Sequence, residues 1–260
     1  MEKRFLAPSE VAKAIIISAE TKVSLSTVRL IILGIMAGAY IGFGAFAYII
    51  VTQTLGSIDV GLMKFLGASV FPVGLMLVVF SGSELFTGNN LMTMALIDRK
   101  ITFGGLLRNW GLVYIGNFIG SIILAYVIYK SNLLSTNVLE FTINTGLAKT
   151  SLSFSVAFLR GILCNILVTL SVWIAASAQD IASRIFSIWF PIMLFVLSGY
   201  EHSVANMFFI PLAKYAGLPV TWTDMWISNL IPVTLGNIVG GGIIVPVVYY
   251  VAFILPAKKK

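Results

Sequence analysis

The chain has one cysteine, Cys164, and one histidine, His202, in 260 residues, and only 10% of its residues are charged. A single cysteine excludes an internal disulfide and a cysteine-built metal site. A single histidine excludes a multi-histidine site. No metal and no cofactor are expected, and a zinc enzyme or metal hydrolase is excluded. No nucleophile–base pair is recognisable, which argues against any enzyme. A soluble domain is nearer a quarter charged. This chain is 58% hydrophobic with a mean hydropathy of +0.99, too apolar to stay in water. Its main solvent must be lipid. The net charge is +7. The basic residues do not cluster with aromatics in a polar segment, so nucleic acid is not an expected partner. No signal peptide is expected, because Glu10 and Glu20 precede the first apolar run.

What the chain does have is a duplication. Ser81-Gly82-Ser83-Glu84 returns 117 residues later as Ser198-Gly199-Tyr200-Glu201. Asn109 followed by Gly116-Asn117-Phe118-Ile119-Gly120 returns 120 residues later as Asn229 followed by Gly236-Asn237-Ile238-Val239-Gly240. Duplication around a polar break is the pattern of a membrane transport protein with its pathway between the halves.

Six apolar runs cover 28–52, 60–97, 105–130, 154–178, 184–213 and 226–255. About 20 helical residues cross a bilayer core. The first, third, fourth and sixth runs suit single spans. The second and fifth are too long, and each holds Ser-Gly-x-Glu in the middle. They are expected to be broken helices, with Thr87 and Ser203 as N-caps of the second halves. Residues 8–22 read as a short amphipathic helix with Val11, Ala12, Ile15, Ile16 and Ala19 on one face, suited to the membrane interface.

With both ends inside, the inner segments hold Lys3, Arg4, Lys13, Lys22, Arg29, Arg99, Lys100, Arg108, Arg184, Lys258, Lys259 and Lys260, which is 12 of the 17 basic residues. That bias predicts cytoplasmic N- and C-termini in a cell membrane, the inner membrane in a two-membrane cell. The expected organisation is one membrane domain, with an N-terminal segment 1–27 and repeats 28–130 and 131–260. Three spans per repeat make the repeats inverted. Glycines 34, 38, 42 and 44, and 236, 240, 241 and 242, are expected to let helices approach closely, with no chemistry of their own.

These stretches resemble the formate/nitrite transporter family. The matching residues are Leu85-Phe86-Thr87-Gly88-Asn89, Gly116-Asn117-Phe118-Ile119-Gly120, Arg160-Gly161-Ile162-Leu163-Cys164-Asn165, Gly199 to Met207, and Asn229 to Asn237. The resemblance implies an all-α, aquaporin-like fold of six helices and a homopentamer with one pore per protomer. It implies small monovalent anions of weak acids as substrates: formate, nitrite or hydrosulfide. It places Leu85, Thr87, His202, Lys149, Asn165 and Phe195 on the pathway, with Phe71 and Leu75 as further apolar lining.

An anion needs positive potential to draw it in and donors to replace its water. Lys149 would supply the potential. His202 would hydrogen-bond the anion or hand it a proton. Leu85 and Phe195 would exclude water. Glu84 and Glu201 would repel an anion, so a structural role is expected, in which they accept hydrogen bonds from backbone N–H groups freed by the breaks. Asn117 and Asn237 would support the same breaks. Two alternatives stay open: a cation- or proton-coupled carrier that uses Glu84 and Glu201, and a neutral-solute pore. The second lacks the Asn-Pro-Ala pair such pores use.

Overall fold

The computed structural model describes residues 5–255. Lys3, Arg4, Lys258, Lys259 and Lys260 lie outside the described residues. Every element is helical, and among the described residues the β pairing is a single bridge between Phe5 and Ala178. Five stretches are long and apolar enough to cross a membrane: Thr27–Ser57, Val60–Ser81, Phe103–Lys130, Phe154–Ser177 and Trp222–Phe253. A sixth apolar helix, Ile181–Leu197, is shorter. Large apolar side chains on these helices stay exposed, among them Val28, Phe43, Ile123 and Phe190. Such a surface suits lipid and not water.

Helix α1 (Pro8–Ser24) starts with proline at its first turn, and Glu10 accepts from the Ala7 N–H at 2.7 Å. Its apolar face is the one the sequence indicates: Val11, Ala12, Ile15, Ile16 and Ala19 are buried. That face packs on Leu91, Met94, Trp173 and Val245 of the same chain. The face indicated by the sequence is thus covered by protein.

Helix α2 (Thr27–Thr52) runs beside α7 (Phe103–Lys130) at backbone contact. A Cβ on Gly38 would lie 2.0 Å from Asn117 O, and one on Gly120 would lie 1.9 Å from Ile35 O. Between them in sequence come α3 (Val60–Val70), α4 (Val73–Ser81), α5 (Phe86–Asn89) and α6 (Thr93–Ile97). Helix α8 (Thr136–Thr150) follows α7, a helix the apolar runs do not announce. Helix α9 (Phe154–Ser177) then crosses the last span as α2 crosses α7: a Cβ on Gly240 would lie 2.2 Å from Ile162 O. Helices α10 (Ile181–Leu197) and α11 (Ser203–Tyr215) precede that span. The last span holds α12 (Trp222–Asp224), α13 (Ile231–Asn237) and α14 (Val245–Phe253), joined by wide π turns at Met225–Leu230 and Ile238–Ile244.

Two interruptions position the site. Helix α4 ends at Ser81 and α5 starts at Phe86; α10 ends at Leu197 and α11 starts at Ser203. Gly82 and Gly199 both have φ of 71°, a left-handed conformation that favours glycine and stops the preceding helix.

Candidate functional site: two mouths and a closed chamber

Each interruption leaves buried backbone donors without helical partners. Side-chain amides take them. Asn117 Oδ1 accepts from the Phe86 N–H at 2.9 Å, and its Nδ2 donates to Gly34 O and Glu84 O. Asn237 repeats this: Oδ1 accepts from the Ser203 N–H at 2.9 Å, and Nδ2 donates to Gly161 O and Glu201 O. The helix N-caps are Leu85 and His202. Thr87 and Ser203, expected from residue type, are not the caps. Leucine offers no side-chain acceptor, so Asn117 supplies one from another helix.

The two glutamates are buried and accept from side chains instead of freed N–H groups. Lys22 Nζ, from α1, donates to Glu84 Oε1 at 2.6 Å and to Asn89 Oδ1 at 2.8 Å. Asn89 Nδ2 donates to Glu84 Oε2 and to Asn109 Oδ1. Lys149 Nζ, from α8, donates to Glu201 Oε1 at 3.2 Å and Oε2 at 3.1 Å. Asn206 Nδ2 donates to Glu201 Oε2 and to Asn229 Oδ1. Each carboxylate is thus neutralised by one lysine and held by one asparagine. An ammonium has three hydrogens and each lysine spends two, leaving one for an incoming anion.

The sequence reading missed Lys22, Asn89, Asn109, Asn206 and Asn229 as site residues. Asn89 and Asn206 were within reach, since each follows its glutamate by five residues. Lys22 gave no local signal: it meets Glu84 from 62 residues away.

Lys22, Glu84, Leu75 and Leu85 line one mouth, a cavity of about 450 Å³. Lys149, Glu201, Phe71 and Phe195 line the other, of about 110 Å³. Between them lies a chamber of about 10 Å³ walled by Ile41, Phe71, Leu75, Leu85, Val168, Ile192, Phe195 and His202. That is room for about one water. Leu75 and Leu85 separate it from the first mouth. Phe71 and Phe195, edge to face with centroids 5.6 Å apart, separate it from the second. The His202 ring stacks on Phe195 at 5.8 Å.

His202 is the chamber's polar group. Its Nδ1 accepts from the Ala205 N–H at 3.0 Å, which caps α11. A neutral ring with an accepting Nδ1 carries its proton on Nε2. That nitrogen lies 2.8 Å from Thr87 Oγ1, so Nε2–H donates and the threonine hydroxyl keeps its own hydrogen. Asn165 is fully buried behind this pair, with its Nδ2 2.7 Å from Asn90 Oδ1 and from Asn237 O, and 3.3 Å from Thr87 O.

An apolar chamber with one histidine in its wall, backed by a buried threonine, and flanked by two lysine-bearing mouths in an all-helical lipid-facing chain, defines a membrane pore protein. A sequence model of the formate/nitrite transporter family matches residues 9–251. The chain is 41% identical to a probable formate transporter of Methanothermobacter thermautotrophicus over 98% of this chain and 99% of that one. It is 33% identical to the formate channel FocA of Escherichia coli over 96% of this chain and 95% of that one. A solved structure described as a pentameric formate channel with formate bound superposes with a TM-score of 0.78 at 34% identity, covering 87% of this chain and 97% of that one. The chain belongs to the formate/nitrite transporter family.

Proposed function

We propose that this protein conducts small monovalent anions of weak acids, formate first and nitrite or hydrosulfide as further candidates, through one pore in each protomer of a homopentamer. Formate and the pentamer rest on the relatives and the solved neighbour just described. One observation carries the anion class: after the bonds it makes in the protein, the lysine at each mouth keeps one N–H to offer an anion. The same pairing speaks against the cation carrier, because Glu84 and Glu201 are already engaged.

The architecture we propose is two inverted three-span repeats, the sixth span being α10 with α11. Lys22 and Lys149 stand 127 residues apart, as do Leu33 and Arg160, whose carbonyls accept from the Glu84 and Glu201 N–H groups. That offset makes α1 and α8 counterparts, so the first repeat begins near residue 8 and not at 28. We place the termini in the cytoplasm, which puts the larger mouth inside.

An anion enters a mouth and contacts the lysine's remaining N–H. It reaches the chamber only when a constriction opens, since the chamber holds about one water. There the Thr87 hydroxyl donates to it. At acid pH a proton reaching His202 must enter at Nδ1, which ends the cap on Ala205. The ring can then pass Nε2–H to Thr87 while Thr87 passes its own proton to the anion. A neutral acid crosses the apolar rings where a charged one does not.

The test is formate flux into liposomes holding the purified protein, with chloride as the contrast. Formate flux well above protein-free liposomes, and above chloride, supports this reading. Equal permeability to both anions, or none, rejects it.

A further inference from the structure

We propose that Gly241 and Asn165 form a clamp that positions Thr87 against His202, making Gly241 a positioning residue of the pore. The inference rests on the proposed role of the Thr87–His202 pair.

The Asn165 amide lies flat against the last span where that helix opens into the wide turns of Ile238–Ile244. A Cβ on Gly241 would sit 2.2 Å from Asn165 Nδ2, 2.7 Å from its Cγ and 2.7 Å from Thr169 Cγ2. Any side chain at 241 therefore displaces the amide. From that place Asn165 Nδ2 makes two short bonds, to Asn237 O on the last span and to Asn90 Oδ1 beside α5. Thr87 O shares the same N–H groups at 3.3 Å. The amide thus ties the short segment 87–90 to the helix that also holds the second interruption through Asn237. Thr87 Oγ1 and His202 Nε2, one from each half, meet across this tie. A hydrogen bond of 2.8 Å between two separate segments survives only if both are held.

The other half of the molecule shows that this is a local device and not a general packing rule. Counting by the offsets already seen, Gly38 on α2 is the counterpart of Asn165, and Ser121 on α7 is the counterpart of Gly241. There the small residue and the side chain have changed places, and Ser121 Oγ donates to Gly38 O at 3.2 Å. Both crossings carry the shared amide, Asn117 or Asn237, but only the half with His202 adds a second one, Asn165. Asn165 Oδ1 and Asn90 Nδ2 are buried without a partner among the described residues. Keeping two such atoms is costly, about 1–3 kcal/mol each. Packing alone gives no reason for an asparagine here.

The test uses the full-length protein in liposomes with Gly241→Ala, Asn165→Ala, the double variant and His202→Asn. The readouts are formate flux from about pH 5 to 8 and the oligomer's elution. Gly241→Ala and Asn165→Ala should each lower flux on the order of tenfold, a typical cost of misplacing a reacting group, and flatten the pH profile. The double variant should match Asn165→Ala alone, since the closest clash goes with the amide and the remaining one, with the Thr169 methyl, does not act on the 87–90 tie. Wild-type flux and profile in Gly241→Ala, or a double variant lower by the product of both losses, overturns the clamp. Should Gly241→Ala not assemble, comparing the double variant with Asn165→Ala decides in the same way. If His202→Asn keeps the wild-type profile, the site reading fails and the clamp with it. If His202→Asn is altered while Gly241→Ala and Asn165→Ala are not, the clamp alone fails.

Discussion

The two mouths share a frame and differ in what is mounted on it. Both have a lysine, a glutamate, two asparagines and a third asparagine under the helix interruption. On the first side Lys22 bonds both Glu84 and Asn89 Oδ1 in a cavity of about 450 Å³. On the second side Lys149 sits 5.1 Å from the Phe209 ring centroid in about 110 Å³, and Asn206 Oδ1 has no partner among the described residues. At the cap, where the first half places Leu85, the second places His202. The backbone chemistry at the two interruptions is thus the same, and the histidine stands at one of them. Shared parts should fail alike when removed, and unshared parts should fail differently.

The largest effect is expected from the shared parts. Asn117→Ala and Asn237→Ala each strand one buried N–H and one buried carbonyl outside a helix, Glu84 O or Glu201 O. About 1–3 kcal/mol per stranded group predicts losses of about 3 kcal/mol or more in both, with poor assembly. Thermal unfolding of the purified oligomer checks this, and a large loss in one with none in the other would contradict equivalence. Next come the lysines. Lys149→Ala should cut formate flux about tenfold, in the range of electrostatic effects on capture. Lys22→Ala, in the wider mouth, should cut it by only about threefold. Equal losses, measured in the same liposomes, would mean that cavity size does not matter. Phe195→Ala should act differently again: chloride leak rises relative to formate because the ring that excludes hydrated ions is gone. Unchanged chloride permeability would remove Phe195 from the constriction. The smallest effect is ionic strength. Raising salt from about 0.05 to 0.5 M should lower flux at low formate by about twofold, because the exposed part of each lysine's field is screened.

Much of the frame was legible beforehand. The repeated Ser-Gly-x-Glu and Gly-Asn-x-x-Gly mark the two interruptions and the two close crossings, since glycine is favoured at φ of 71° and lets backbones come into contact. The buried face of α1 also follows from its spacing. What packs against that face does not, because lipid and protein are both apolar. Helix α8 escaped because it is short and half polar, and its likeness to α1 comes down to one lysine. The caps escaped for another reason. Thr87 and Ser203 have the right chemistry for a cap, but Asn117 and Asn237 reach in from other helices to do that work. Leu85 carries no signal for the role. The glutamates' partners are long-range pairs that no local pattern specifies.

Of the differences between the halves only the histidine can carry a proton to the anion, so formate flux from about pH 5 to 8 in wild type and His202→Asn is the most direct measurement. Asparagine can still cap α11 but cannot take up or release a proton. If His202 is the group that couples a proton to the anion, the variant keeps measurable flux and loses the wild-type rise toward acid pH. The same pH profile in both proteins would contradict that role and leave His202 a cap and nothing more.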